Sequence, residues 1–108
     1  MSISIRTPAP LAIAEARFDL YHYDSEADVL YLHVDGAADT ADWDGTHEGH
    51  GVRFDADGKL IHATLVNAAW LLDREGALDV TPRDGSPTTR LPRELIEPLL
   101  VETLRYAS

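Results

Sequence analysis

His47-Glu48-Gly49-His50 gathers two imidazoles and a carboxylate within four residues. Neutral imidazoles with one oxygen donor suit zinc or nickel, so His47, Glu48 and His50 are the candidate metal ligands. On a helix, two histidines four residues apart would share a face. Here only two residues separate them, and Gly45, Gly49 and Gly51 surround them, so the segment reads as a loop with no imposed geometry. No third ligand follows from the spacing. The competing account is a polar loop whose histidines titrate near neutrality, and no resident metal or cofactor is expected.

Other chemistries fall away on inspection. Asp55-Ala56-Asp57-Gly58 opens like a calcium loop, but the twelfth position, where a bidentate Glu belongs, is Val66. Asp24 with Glu26, or Asp42 with Asp44, could act as an acid–base pair only if burial split their pKa values, and their turn-like settings predict solvation. None of Ser2, Ser4, Ser25, Ser86 and Ser108 sits in a G-x-S-x-G elbow, and no phosphate-binding glycine pattern occurs. No catalytic residue is assigned. Tyr21, Tyr23 and Tyr31 could stack on nucleobases, but cross-strand aromatic packing is the plainer account.

The charge distribution points instead to a partner. Asp19 to Asp57 holds eleven acidic residues and a single basic one, Arg53, which accounts for the whole net charge of −10. Such a field attracts basic partners and repels phosphate backbones. Asp39, Asp42, Asp44 and Glu48, near the middle of the segment, are the candidate partner-binding residues.

A chain of 108 residues fits one domain with a modest core. Cysteine is absent, which excludes disulfides and thiolate chemistry and suits a reducing cytoplasm. The first residues carry one basic group and two early prolines, unlike a signal peptide. No apolar run approaches the ~18 residues of a membrane span.

The elements that must carry these residues are mostly strands. Residues 1–16 read as an arm: Ile3 and Ile5 suit a short strand that Pro8 and Pro10 break, leaving the arm paired on a sheet edge or loose. Phe18–Tyr23 and Val29–Val34 predict a hairpin across an Asx-type turn at Asp24. Val52–Asp55 and Lys59–Asn67 predict a second, across an Asp-Gly turn. Leu30, Leu32 and Val34 share one face, and Val29, Tyr31 and His33 the other. Ile61, Ala63 and Leu65 oppose Leu60, His62, Thr64 and Val66. Apolar groups on both faces imply a sheet covered on both sides, at least in part; self-association is the commonest cover, and the N-terminal arm is the alternative.

Asp35–Gly51 reads as a long loop or a poorly formed edge strand. Ala68–Arg74 reads as a short helix stopped by Gly76, and Ala77–Thr81 as a strand. Leu91–Tyr106 reads as a helix with Pro92 in its first turn. Leu95 or Ile96, Leu99 or Leu100, and Leu104 form its stripe, and Pro98 should kink or split it. The expected architecture is α+β: a small antiparallel sheet of hairpins packed against a C-terminal helical segment.

The run Tyr23-Asp24-Ser25-Glu26-Ala27-Asp28-Val29-Leu30-Tyr31-Leu32 resembles Y-D-x-E-A-D-x-L-Y-I, a signature of the small bacterial family called domain of unknown function 2283. Gly51 to Ile61 (GVRFDADGKLI) resembles that family's G-V-x-V/F-D-x-D-G-R-I-V block, and Leu65-Val66-Asn67-Ala68 its closing I-L-N/D-A. The resemblance covers about residues 18–69. Where family members often carry Gly, Ile and Glu, this chain has His62, Ala63 and Thr64. The resemblance implies a β-rich domain without established catalytic residues. Some members are thought to be encoded beside small toxin-like proteins, which implies an antitoxin-like role. The resulting expectation is a cytoplasmic, non-enzymatic homodimer that meets a basic protein and neither nucleic acid nor membrane. The alternative is a small metal binder or metal-dependent enzyme centred on His47 and His50.

Overall fold

A computed structural model describes residues 5–83, 85 and 87–107. Ser2, Ser4, Ser86, Ser108 and Ile3 lie outside them. Six strands form one antiparallel sheet: β1 (Ile5–Ile13), β2 (Ala16–Asp24), β3 (Val29–His33), β4 (Asp42–Gly45), β5 (Gly51–Phe54) and β6 (Leu60–Val66). Their spatial order is β1-β2-β3-β6-β5-β4, so the two predicted hairpins meet through β3 and β6 at the centre. Helix α1 (Ala68–Glu75) follows, then a two-stranded ribbon of β7 (Ala77–Val80) and β8 (Thr89–Pro92), then helix α2 (Arg93–Ala107). The architecture is α+β, with the sheet packed against the C-terminal helical segment.

The turns are built as their residues require. Asp24 Oδ1 accepts from the N–H groups of Glu26 and Ala27, an Asx turn between β2 and β3. Asp55 Oδ1 accepts from Asp57 and Lys59, while Gly58 takes the left-handed conformation (φ +79°) that closes the β5–β6 turn. Gly76, also left-handed, donates its N–H to the Leu72 carbonyl and ends α1.

One face of the sheet makes the core. Phe18, Tyr21, Leu30, Leu32, Val52, Ala63 and Leu65 pack with Leu72 of α1, Leu78 and Val80 of β7, Leu91 of β8, and Ile96, Leu99 and Leu100 of α2. Burial of that apolar area, worth about 25 cal/mol per Å2, is the main force holding the layers together. The opposite face carries Leu20, His22, Tyr31, His33, His62, Thr64 and Val66, all half-exposed. Within the single chain the helices and the ribbon contribute to one core, and the N-terminal arm pairs at the sheet edge, so the second face keeps only partial cover.

Three further expectations change, and one pair of alternatives is decided. The prolines of the N-terminal arm do not stop its strand. β1 runs from Ile5 to Ile13 along the sheet edge, and its register with β2 shifts between Arg6 and Leu11, where a residue lacking an N–H costs no ladder bond. In the acidic middle, the edge-strand alternative holds, as β4. Leu91 and Pro92 belong to β8, so α2 begins at Arg93 rather than Leu91. Pro98 does not split α2, because Pro98 and Glu94 lie on its exposed side and the carbonyl left without a helical donor can face water. The helix presents Ile96, Leu99 and Leu100 inward and Leu95 outward. The side chain of Leu104 lies outside the described residues.

Candidate functional site

The sheet register lines up one row of side chains over all six strands. Arg6 pairs with Leu20, Leu20 with His33, His33 with His62, His62 with Arg53, and Arg53 with Trp43. Directly paired residues share a face, so this row crosses the open side of the sheet. A second row beside it runs His22, Tyr31, Thr64, Gly51 and Gly45. Neither row contains a carboxylate. His22 and Tyr31 stack with ring centroids 5.9 Å apart. Trp43, 71% exposed, and Arg53 stand free at one end. Arg6 at the other end reaches Asp35 Oδ2 at 2.8 Å and Asp19 Oδ2 at 3.3 Å.

His33 and His62 form the tightest polar contact of the row, with Nδ1 atoms 2.6 Å apart and rings at 79°. Burial lowers the pKa of His33, helped by the nearby charges of His62 and His22. Burial also lowers that of His62, with Arg53 adding repulsion. Both rings are therefore held toward the neutral form, the form that binds metals.

The residues singled out from sequence do not converge on a second centre. His47 is exposed in the turn between β4 and β5, and its N–H donates to the Thr81 carbonyl at 3.3 Å. His50 is 2% exposed and accepts from the Val66 N–H at Nδ1, 3.1 Å away, so its lone pair there is committed. Its Nε2 has no hydrogen-bond partner. Burial dominates and lowers the His50 pKa, against the Glu48 charge and, less, the Asp79 backbone, which favour the charged ring. Glu48 accepts from the Thr81 N–H at 2.8 Å and its hydroxyl at 2.5 Å. Burial pulls its pKa up, but these bonds outweigh it and hold the carboxyl below its ordinary value. His47 and Glu48 thus anchor the turn to Thr81 at the exit of β7, and His50 ties it to the end of β6. Among the described residues, no group of three or more His, Asp or Glu side chains is placed to hold a metal.

The acidic segment is largely occupied with its own backbone. Asp42 and Asp44 are exposed on β4, and their Oδ1 atoms accept the N–H groups of Trp43 and Gly45, each at 2.8 Å. Thr46 N–H bonds the His50 carbonyl, so alternate residues along β4 face β5, and the Trp43 and Gly45 donors point outward. Those carboxylates therefore cap the free edge. Asp39 is exposed just before β4. Asp28 reaches across to α1, where Oδ1 accepts from Ala69 at 2.7 Å and Oδ2 from Trp70 at 3.1 Å. Tyr21 and Tyr23 are buried in the core, and only Tyr31 lies on the open face, so the three tyrosines do not form one stacking platform.

Sequence reading missed the His33–His62 pair. Strand alternation placed each histidine on a face, but the pairing of β3 with β6 joins two separate hairpins and has no local signal. No protein-family model, curated protein or solved structure matches this chain.

Proposed function

We propose that the protein is a non-enzymatic interaction domain that forms a homodimer through the open face of its sheet and leaves the acidic β4 rim free for a basic protein. The carboxylate-free row from Arg6 to Trp43 is the observation that carries this reading. A second copy brings a net charge of −10, so it is repelled by the acidic surfaces and meets least opposition along the stretch from Leu20 to Trp43, where histidines, Arg53 and aromatic rings stand, rather than at Arg6, which Asp19 and Asp35 neutralise. The sheet edges favour the same choice. Pro8 and Pro10 interrupt the donors of β1, and Asp42 and Asp44 cap those of β4, so strand addition is discouraged at both. A two-fold arrangement of face on face satisfies both facts.

The resemblance to the domain of unknown function 2283 family supports an antitoxin-like version of this role, in which the basic partner is a small toxin-like protein. Asp39, Asp42 and Asp44 are its contact residues, with Glu48 at the neighbouring turn. Sedimentation equilibrium tests the first part: wild type sediments as a dimer and Tyr31→Glu, which sets a carboxylate at the centre of the face, as a monomer. A monomeric wild type overturns self-association. Affinity capture tests the second with Asp39→Asn/Asp42→Asn/Asp44→Asn, which removes charge but keeps the amide oxygens that cap the edge. Salt-sensitive capture of a basic protein by wild type, lost in the triple variant, supports it; equal capture by both overturns it.

A further inference from the structure

Strands β3 and β6 hold His33 and His62 together for a reason visible in the ladder. The Val34 N–H bonds the Ile61 carbonyl at 3.2 Å, which marks that couple as a hydrogen-bonded pair. The adjacent couple, His33 and His62, is then a non-hydrogen-bonded pair, the kind whose side chains stand closest. Both strands are flanked by neighbours on either side, so the spacing is fixed by the middle of the sheet.

Two imidazole Nδ1 atoms meet in one of two ways. One ring donates an N–H to the other, or both lone pairs converge on one cation. At 2.6 Å, just below the usual hydrogen-bond range of about 2.7–3.2 Å, the ion-free pair shares one proton, and that contact already turns both nitrogens toward one point. With metal–nitrogen bonds of about 2.0–2.1 Å, a right angle at the metal separates the nitrogens by about 2.9 Å and a tetrahedral angle by about 3.3 Å. Chelation therefore has to open the pair, least for the right angle of a tetragonal ion, and imidazole affinity also peaks at copper.

We propose that His33 and His62 form a two-imidazole site for a borderline divalent transition-metal ion, Cu2+ or Ni2+ ahead of Zn2+, bound through both Nδ1 atoms on the open face. Hard cations are disfavoured because neither row supplies a carboxylate. The remaining coordination positions point away from the sheet, toward water or a donor from another molecule. Binding to the neutral pair releases no net proton: a ring carrying its hydrogen on Nδ1 returns it through solvent to its own Nε2. The groups around the site are Arg53 beside His62, His22 and Tyr31 in the next row, and Arg6 held by Asp19 and Asp35. Arg53 opposes a dication, so the site is weaker than its geometry alone would make it. The site does not depend on dimerisation.

The test is calorimetric titration of the full chain with nickel chloride, and with cupric chloride followed by its visible absorption, at pH 7.5. Saturable binding is expected, weakened about tenfold or more in His33→Gln and in His62→Gln, and lost in the double variant. Arg53→Gln should bind several-fold more tightly. One ion per chain supports the site, as does one per two chains, in which a second copy fills the open positions. Circular dichroism of each variant, together with protection of wild-type His33 and His62 from diethylpyrocarbonate by nickel, separates lost ligands from lost folding. Unchanged binding in the folded double variant overturns the proposal. So does binding abolished by His47→Gln but not by the double variant, or no saturable binding by wild type.

Discussion

The Tyr23 hydroxyl donates to Asp28 Oδ1 at 2.8 Å, and that same oxygen accepts the Ala69 N–H at the start of α1. The Asp28 carbonyl takes the Ala68 N–H as well. One aspartate thus satisfies three donors of the first helical turn from forty residues away, a task usually given to the residue just before a helix. Asn67, in that place, is left-handed and makes no side-chain cap. The first and last motif blocks of the sequence therefore meet: Tyr23 and Asp28 from one, Asn67 and Ala68 from the other. Burial, and then the hydrogen bond to the Asp28 carboxylate, raise the Tyr23 pKa well above the ordinary phenol value.

Asp28→Ala should destabilise the fold by about 1–2 kcal/mol through loss of the cap, with an added penalty because Asp28 sits at φ +56°. Asp28→Asn, which tolerates that backbone and keeps an acceptor, should cost less. Tyr23→Phe should cost about 1 kcal/mol. Urea unfolding measures all three, and equal midpoints for wild type and Asp28→Ala would remove the capping role.

Stability should fall as the solution is acidified below neutrality. His33, His50 and His62 all have pKa values lowered in the folded state, chiefly by burial. The unfolded chain, with imidazoles near about 6.5, then binds more protons than the folded one below that pH. The stability they contribute is fully present above about pH 6.5 and is lost as pH falls through the folded values. Glu48, also lowered, adds a similar loss below its ordinary carboxylate range. His50 should dominate, because protonation at Nδ1 both breaks its bond to Val66 and charges the interior. Urea midpoints at pH 7.5 and 5.5 measure this. A His50→Gln variant should show the smaller difference, and an identical pH response would refute the assignment.

Asp42→Ala/Asp44→Ala should aggregate faster than wild type. It uncovers the outward N–H groups of Trp43 and Gly45 and removes two charges from an exposed edge. Static light scattering follows it. Asp42→Asn/Asp44→Asn, which keeps the caps, should fall between the two. No rise in scattering for the alanine variant counts against a guarded edge.

Pro98→Ala should stabilise α2 by about 1–2 kcal/mol. The gain is the helical hydrogen bond to the Glu94 carbonyl, offset by about 0.4–1 kcal/mol of added freedom in the unfolded chain. Thermal unfolding checks the sign, and a lower midpoint would mean that Pro98 serves a packing role.

Local chemistry in the sequence determined the hairpins and their turns. Alternation from Phe18 to Val34 and from Lys59 to Asn67, the side-chain bonding of Asp24 and Asp55, and the left-handed freedom of Gly58 and Gly76 all act within a few residues. The helical spacing of the α2 stripe was legible for the same reason, though packing decided for Ile96 over Leu95 and for both Leu99 and Leu100. Only the tertiary structure decided what those pieces do together. Pairing of β3 with β6 brings His33 to His62, packing turns His50 inward, and Asp28 is drawn to a helix it never adjoins. Each of these contacts forms between segments far apart in the chain, and it is set by which apolar faces must be buried together rather than by any neighbouring residue.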